Sequence, residues 1–168
     1  LIGQHLIKHY SSRIFLIDDH EELDFSMNES LVTRISLNKH KCIDLLEYAS
    51  NRTQKHNTLI IDDVNTLERV RFIFELSKKK NTRIIAGIYV DATADLFEYL
   101  IEISEYDRAT SLNLIASLLD VIINQCLVKT NKSKILAVFQ VLVNCDQIRR
   151  LILQDQLSWV YDCMRLGR

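Results

Sequence analysis

Residues 59–72 read LIIDDVNTLERVRF, and this stretch decides the fold. Leu59, Ile60 and Ile61 form an unbroken apolar run, as expected of a parallel strand covered on both faces, and the run stops at Asp62 and Asp63. Leu67, Val70, Ile73 and Phe74 then recur at helical spacing, which predicts a helix over 67–79. A strand that hands two carboxylates to its own end and is followed by a helix is half of a βαβ unit. Its chemistry belongs at the carboxyl edge of a sheet.

The same pattern repeats on either side. Ile14 to Ile17 runs into Asp18 and Asp19, and Ile84 to Val90 reaches Asp91. A helical stretch over 41–51 lies between the first two runs, so right-handed crossovers and a mainly parallel sheet follow. After Ala94 the texture changes. Leu96–Ile103 and Leu112–Ile123 read as helices, the second apolar on nearly every side and therefore expected to be buried. Gln125–Lys129, a turn over 130–133 and Lys134–Val143 read as a β-hairpin, with Ile135, Ala137, Phe139 and Val141 on one face. Short helices over 147–153 and 157–166 close the chain, with Gly167 as a cap. The expected class is α/β: a mainly parallel sheet flanked by helices, then a C-terminal hairpin and short terminal helices. One domain portion covers 1–168, divided into a sheet core (1–104) and a helix-and-hairpin tail (105–168).

Composition bounds the function. With 168 residues, 48% hydrophobic and 26% charged, the chain can bury a sizeable core. Its 21 basic and 22 acidic residues give a net charge of -1, so no global field draws in nucleic acid or anionic lipid. Cys42, Cys126, Cys145 and Cys163 form no C-x-x-C pair, which argues against a zinc knuckle or redox dithiol and for a reduced, cytoplasmic setting. No apolar stretch reaches the roughly 20 residues of a membrane span, and no signal peptide is expected at the start. The first residue is Leu rather than Met, which suggests a piece of a longer protein, and the chain contains no proline.

The final stretch, VIINQCLVKTNKSKILAVFQVLVNCDQIRRLILQDQLSWVYDCMRLGR (121–168), resembles the tail of PilT-type secretion and pilus motor ATPases, with Gln147 to Ile152 matching that family's AIRNLIRE segment. LIIDDVNTLERVRF resembles its Walker B region, with Asp63 where the family has a catalytic glutamate. RIFLIDDHEELDF (13–25) resembles its Asp box, matching Asp18, Asp19 and Glu22 to three acids. Arg34, in LVTRISL, falls near an arginine that contacts nucleotide phosphate between subunits. The resemblance covers essentially the whole chain and implies a RecA-like motor of the retraction branch.

That resemblance implies ATP and Mg2+ as cofactors. Asp63 and Glu22 would be catalytic, Arg34 and Asp19 would bind nucleotide, and Asp18 and Asp19 would hold the metal through water. Gln147, Ile148 and Arg149 would face a partner. It also implies a homo- or hetero-hexamer beneath the inner membrane that acts on a pilus platform protein, without nucleic acid and without insertion into the bilayer.

The departures carry as much information. NTRIIAGIYVDATA (81–94) stands where the family has two histidines, and neither survives: the positions hold Asn81 or Thr82, and Tyr89. No G-x-x-x-x-G-K-[ST] occurs in the 168 residues. Phosphoryl transfer needs donors around the phosphates, a magnesium ion, a carboxylate to orient water and usually an arginine, and this chain offers only the last two.

Blander readings remain beside these. Asp62 and Asp63 could cap the following helix at Asn65 or Thr66, the Asp18 cluster could be a solvated loop, and Arg34 an exposed strand arginine. Trp159 could be core or an exposed anchor. A degenerate, inactive family member is one alternative. A response-regulator receiver with Asp62 or Asp63 as phosphoacceptor is another, although the hairpin and tail have no place in it.

Overall fold

In the computed structural model the described residues are 13–17, 32–35, 57–78, 82–90, 95–130 and 134–166. The chain divides into two compact units, Leu1–Tyr89 and Val90–Arg168, where the sequence places a boundary after residue 104.

In the first unit, β1 (Arg13–Ile17), β2 (Val32–Ile35), β3 (Asn57–Ile61) and β4 (Thr82–Ala86) form a four-stranded parallel sheet in the order β2-β1-β3-β4. Apolar continuity explains which strands are central. Ile14 to Ile17 and Leu59 to Ile61 are all buried, so β1 and β3 have no solvent face. The register is flush at one end: Ile17 lies opposite both Ile35 and Ile61, and Ile61 opposite Ala86. Residues leaving these strands therefore emerge along one rim.

Helix α1 (Leu67–Ser77) lies against β4. It starts where the Thr66 side chain accepts a hydrogen bond from the Arg69 amide at 3.3 Å, and it buries Val70, Phe72, Phe74 and Leu76. At its end Lys78 pairs with Glu75 at 2.6 Å, an exposed contact. The helix expected over 41–51 lies outside the described residues, as does Gly167.

The second unit contains α2 (Asp95–Ser104), α3 (Arg108–Leu118), a hairpin of β5 (Val121–Lys129) and β6 (Ile135–Val143), then α4 (Asp146–Leu153) and α5 (Leu157–Leu166). Its core includes Phe97, Leu112, Ile115, Ile148, Ile152 and Val160. Asp107 caps α3 by accepting from the Thr110 amide at 3.0 Å, and Ser104 and Ser111 share a buried hydroxyl–hydroxyl bond of 2.9 Å.

The expected helix over 112–123 is corrected. It ends at Leu118, Leu119 turns to an extended conformation (ψ 132°), and Val121 to Ile123 open a strand of nine residues. Two forces set the break. Val121, Ile122 and Ile123 are β-branched and pair with Val143, Leu142 and Val141. The buried Asn144 also donates from Nδ2 to the carbonyls of Ala116 (3.0 Å) and Leu119 (2.7 Å), satisfying acceptors that the helix leaves open. Nor is that stretch uniformly buried, since Val121 and Ile123 are exposed. The strand expected over 84–90 likewise stops at Ala86, opposite Ile61, the last residue of its partner β3.

The architecture is thus an α/β fold with a parallel sheet, a C-terminal antiparallel hairpin and terminal helices, as the sequence predicts. No described helix is long and apolar enough to cross a membrane.

Candidate functional site at the carboxyl edge of the sheet

Three backbone hydrogen bonds build the rim. The Asp62 amide donates to Ile17 O at 2.9 Å, extending the β1–β3 ladder one residue past the strand. The Gly87 amide donates to Ile61 O at 2.9 Å, and Gly87 O accepts from the Val64 amide at 2.7 Å. Gly87 is therefore joined by its amide to the end of β3 and by its carbonyl to the loop that follows, one residue past the last paired residue of β4, Ala86. Val64 is buried beneath the stitch.

The loop presents Asp62 and Asp63 side by side, each half-buried. Asp63 takes the left-handed backbone conformation (φ 54°), which Asp tolerates better than most residues. Its carboxylate accepts from Asn65 Nδ2 at 2.6 Å, and its carbonyl accepts from the Arg69 guanidinium. The capping question raised by the sequence is answered here: Thr66, rather than either aspartate, accepts the helix amide. Asp63 is held by Asn65 and Arg69 in a loop of fixed shape. Sequence reasoning found the two aspartates but missed Asn65, Arg69 and the Gly87 stitch. The only available signals were an aspartate pair at a strand end and a glycine at the end of the next strand.

Arg34 lies on β2 one residue before its end, opposite Leu16, and is exposed. Asp18, Asp19 and Glu22 lie outside the described residues. Gln147, Ile148 and Arg149 fall on α4 in the second unit. Ile148 is buried, Arg149 donates to Ala116 O (3.2 Å) and to Asp146 (3.0 Å), and Gln147 faces solvent. Two of the three thus hold their own unit together. Trp159 is exposed while Val160 and Met164 are core, which settles that side chain's position.

Cys145 sits just before α4. Amides of Ile148 and Gln147 at the helix start hold its thiol below the ordinary range. A separate cluster ties the second unit: Arg108 bonds both carboxylate oxygens of Glu98 at 2.8 Å and both of Asp155 at 2.6 Å. Hydrogen bonds from Arg108 lower the pKa of both carboxyls and raise its own.

Among the described residues no group of three or more His, Cys, Asp or Glu side chains is placed to hold a metal ion. The fit to a nucleoside triphosphate is partial. A carboxylate rim is present, with one of the two Asp63 oxygens accepting from Asn65. A Cβ built on Gly87 would meet Asp62 Oδ1 at 3.4 Å and the Asp63 amide nitrogen at 3.5 Å, ordinary contacts, so this backbone is not kept bare to admit a phosphate. With no phosphate-cradling loop in the sequence either, these residues alone do not fit ATP, and no chemical step is routed through it.

The fold has clear counterparts. The chain superposes on the crystal structure of the pilus retraction motor PilT with bound ADP with a TM-score of 0.82 at 18% identity, over 98% of this chain and 48% of that one. The ATPase DotB of Legionella pneumophila matches with a TM-score of 0.75 at 14% identity, over 91% and 43% of the two chains. The VirB11 ATPase of the Brucella suis type IV secretion system, in complex with sulphate, matches with a TM-score of 0.69 at 14% identity, over 91% and 47%. The chain therefore has the fold of part of a secretion ATPase of the PilT, DotB and VirB11 kind, and it spans about half the length of these structures. No family model matches the sequence, and no curated protein does.

Proposed function

We propose that this chain is the Walker-B-bearing portion of a PilT-like motor ATPase, a ring-forming protein of type IV pilus or secretion systems. The observation that carries the reading is the superposition over 98% of the chain, with Asp62 and Asp63 on the flush carboxyl rim. That rim is where α/β folds bind ligands. In the complete fold ATP and Mg2+ bind at this rim. There Asp63 and Glu22 would be the residues that orient water, Asp18 and Asp19 those that would hold the metal through water, and Arg34 the one that would contact nucleotide phosphate, provided that the rest of the fold supplies the phosphate-binding loop. The ring has six subunits and works in the cytoplasm on an inner-membrane platform protein, and of the three residues matched to a partner contact Gln147 is the one exposed to make it.

A second reading keeps the fold and drops hydrolysis, making the chain a structural or regulatory subunit. The loss of both family histidines and the aspartate at position 63 where the family has glutamate favour it, because a side chain one methylene shorter displaces the carboxylate, and misplacement near 1 Å costs about a hundredfold in rate. The longest polypeptide encoded by the gene, assayed for Mg-dependent ATP hydrolysis and for mass by light scattering, decides between them. Hydrolysis abolished by Asp63→Asn supports the motor, and hexamers without hydrolysis support the inactive subunit. Monomers that neither bind nor cleave ATP sink both. Labelling of Asp62 or Asp63 by acetyl phosphate would instead point to a phosphorylation switch.

A further inference from the structure

Asp62, Asp63 and Val64 cross the rim after β3, and they are held in different ways. The Asp62 amide donates to Ile17 O at 2.9 Å and the Val64 amide to Gly87 O at 2.7 Å, so main-chain bonds fix the residues on either side. Asp63, between them, has no main-chain partner among the described residues. Its carbonyl accepts from the Arg69 guanidinium, and its carboxylate accepts from Asn65 Nδ2 at 2.6 Å. Side chains alone hold it.

Its conformation needs that hold. Asp63 is left-handed (φ 54°), a region that residues with a Cβ occupy where the surroundings compensate for the crowding. A return to the extended region would redirect Cβ, and the carboxylate with it. Arg69 is placed to prevent this. It is the third residue of α1, its amide is taken by the Thr66 cap, and its half-buried side chain runs back to the Asp63 carbonyl six residues earlier. Long side chains on a helix lean toward its N-terminus, which aims this one at the loop. A guanidinium stays charged at every working pH and donates more strongly than a neutral group. The peptide between Asp63 and Val64 is thus gripped at both ends, by Arg69 on the carbonyl and by Gly87 on the amide.

We infer that Arg69 is the positioning residue of Asp63: it keeps the loop left-handed and so fixes where the carboxylate stands on the rim. This role rests on the motor reading, in which Asp63 orients water, and Arg69 acts through Asp63 alone. If Arg69 merely steadied the start of α1, losing its guanidinium and losing the Thr66 cap would have like effects. Thr66→Ala loosens the helix start and leaves the guanidinium on Asp63, whereas Arg69→Met keeps the cap and most of the stem and loses the donor.

Crystal structures and Mg-dependent ATP hydrolysis of the longest polypeptide encoded by the gene, with Arg69→Met, Arg69→Lys and Thr66→Ala, test it. Asp63 should leave the left-handed region in Arg69→Met and keep it in the other two, since lysine still donates. In Arg69→Met kcat should fall at least about tenfold with KM within about twofold, as expected when an acid is misplaced and binding is untouched. Arg69→Lys should recover kcat to within about threefold of wild type, and Thr66→Ala should hold it within about twofold. If Arg69→Met does not fold, Arg69→Leu is read in its place. An Asp63 that stays left-handed without the guanidinium, or a kcat lowered as far by Thr66→Ala, overturns the inference and leaves the motor reading standing. A wild type that does not hydrolyse ATP sinks the motor reading instead, and the conformation of Asp63 in Arg69→Met then decides the inference by itself.

Discussion

The two sheets are built from the same residue types and meet opposite fates. In β1 and β3 every apolar side chain from Ile14 to Ile17 and from Leu59 to Ile61 is buried, whereas along β5 and β6 only Ile122 and Leu142 are. Hydrophobicity of a strand thus states a demand for cover, while topology decides whether the same chain meets it. Parallel strands need crossovers, and the crossovers bring helices to both faces. An antiparallel hairpin turns on a few residues and brings nothing with it. Here Thr130 closes the turn with its amide and hydroxyl on Lys134 O and accepts the Lys134 amide in return.

Truncating an apolar residue in each sheet should break the symmetry most sharply. Ile61→Ala removes a side chain that is 1% exposed and is expected to destabilise by about 3 kcal/mol. Val141→Ala, measured in urea at a concentration where the chain is monomeric, should cost no more than about 0.5 kcal/mol. Equal losses would mean that the hairpin face is covered within one chain.

Next in size is Asn144→Ala, which takes the Asn144 donor from Leu119 O and leaves Ala116 O with Arg149 alone of its two side-chain donors. About 2 kcal/mol is expected, read as a lower urea midpoint at unchanged slope. Thr66→Ala in the first unit removes the cap of α1 and should cost about 1 kcal/mol. A smaller effect comes from Arg108→Ala, whose partners are nearly half exposed. The loss should be about 0.5–1 kcal/mol and should shrink in high salt.

The pH dependence of that last term has a definite sign. The Glu98 and Asp155 carboxyls are lowered from ordinary values of 4.5 and 3.8, first by hydrogen bonds from Arg108. Their stabilisation is therefore complete above those values and fades as pH falls through the lower, folded-state ones. Wild type and Arg108→Ala should converge in stability as pH drops below about 4, which urea melts at pH 7, 5 and 3 would follow.

Local pattern carried much of this architecture. Runs that ended in Asp62 and Asp63, and in Asp18 and Asp19, marked two central strands and the rim, because a strand buried on both faces cannot tolerate a carboxylate until it emerges. The break after Leu118 was hidden. Leu118, Leu119 and Val121 to Ile123 are apolar on either side of Asp120, so periodicity could not separate helix from strand, and only β-branching favoured the latter. Asn144 acts from 25 residues away, beyond the reach of any local pattern. At the site, the aspartate pair was legible because it is a composition signal. The left-handed turn at Asp63 and the grip of Arg69 on its carbonyl are tertiary facts. Arg108 was invisible for the same reason, since Asp155 lies 47 residues further on.

Gly87 accepts and donates across to the neighbouring strand exit through main-chain atoms alone. The seam holds without any side-chain donor or acceptor, so it couples the segments after Ile61 and Ala86 whatever polar side chains stand there. The aspartate loop is thus tied on one side to the end of β1 through the Asp62 amide and on the other to the exit of β4 through Gly87.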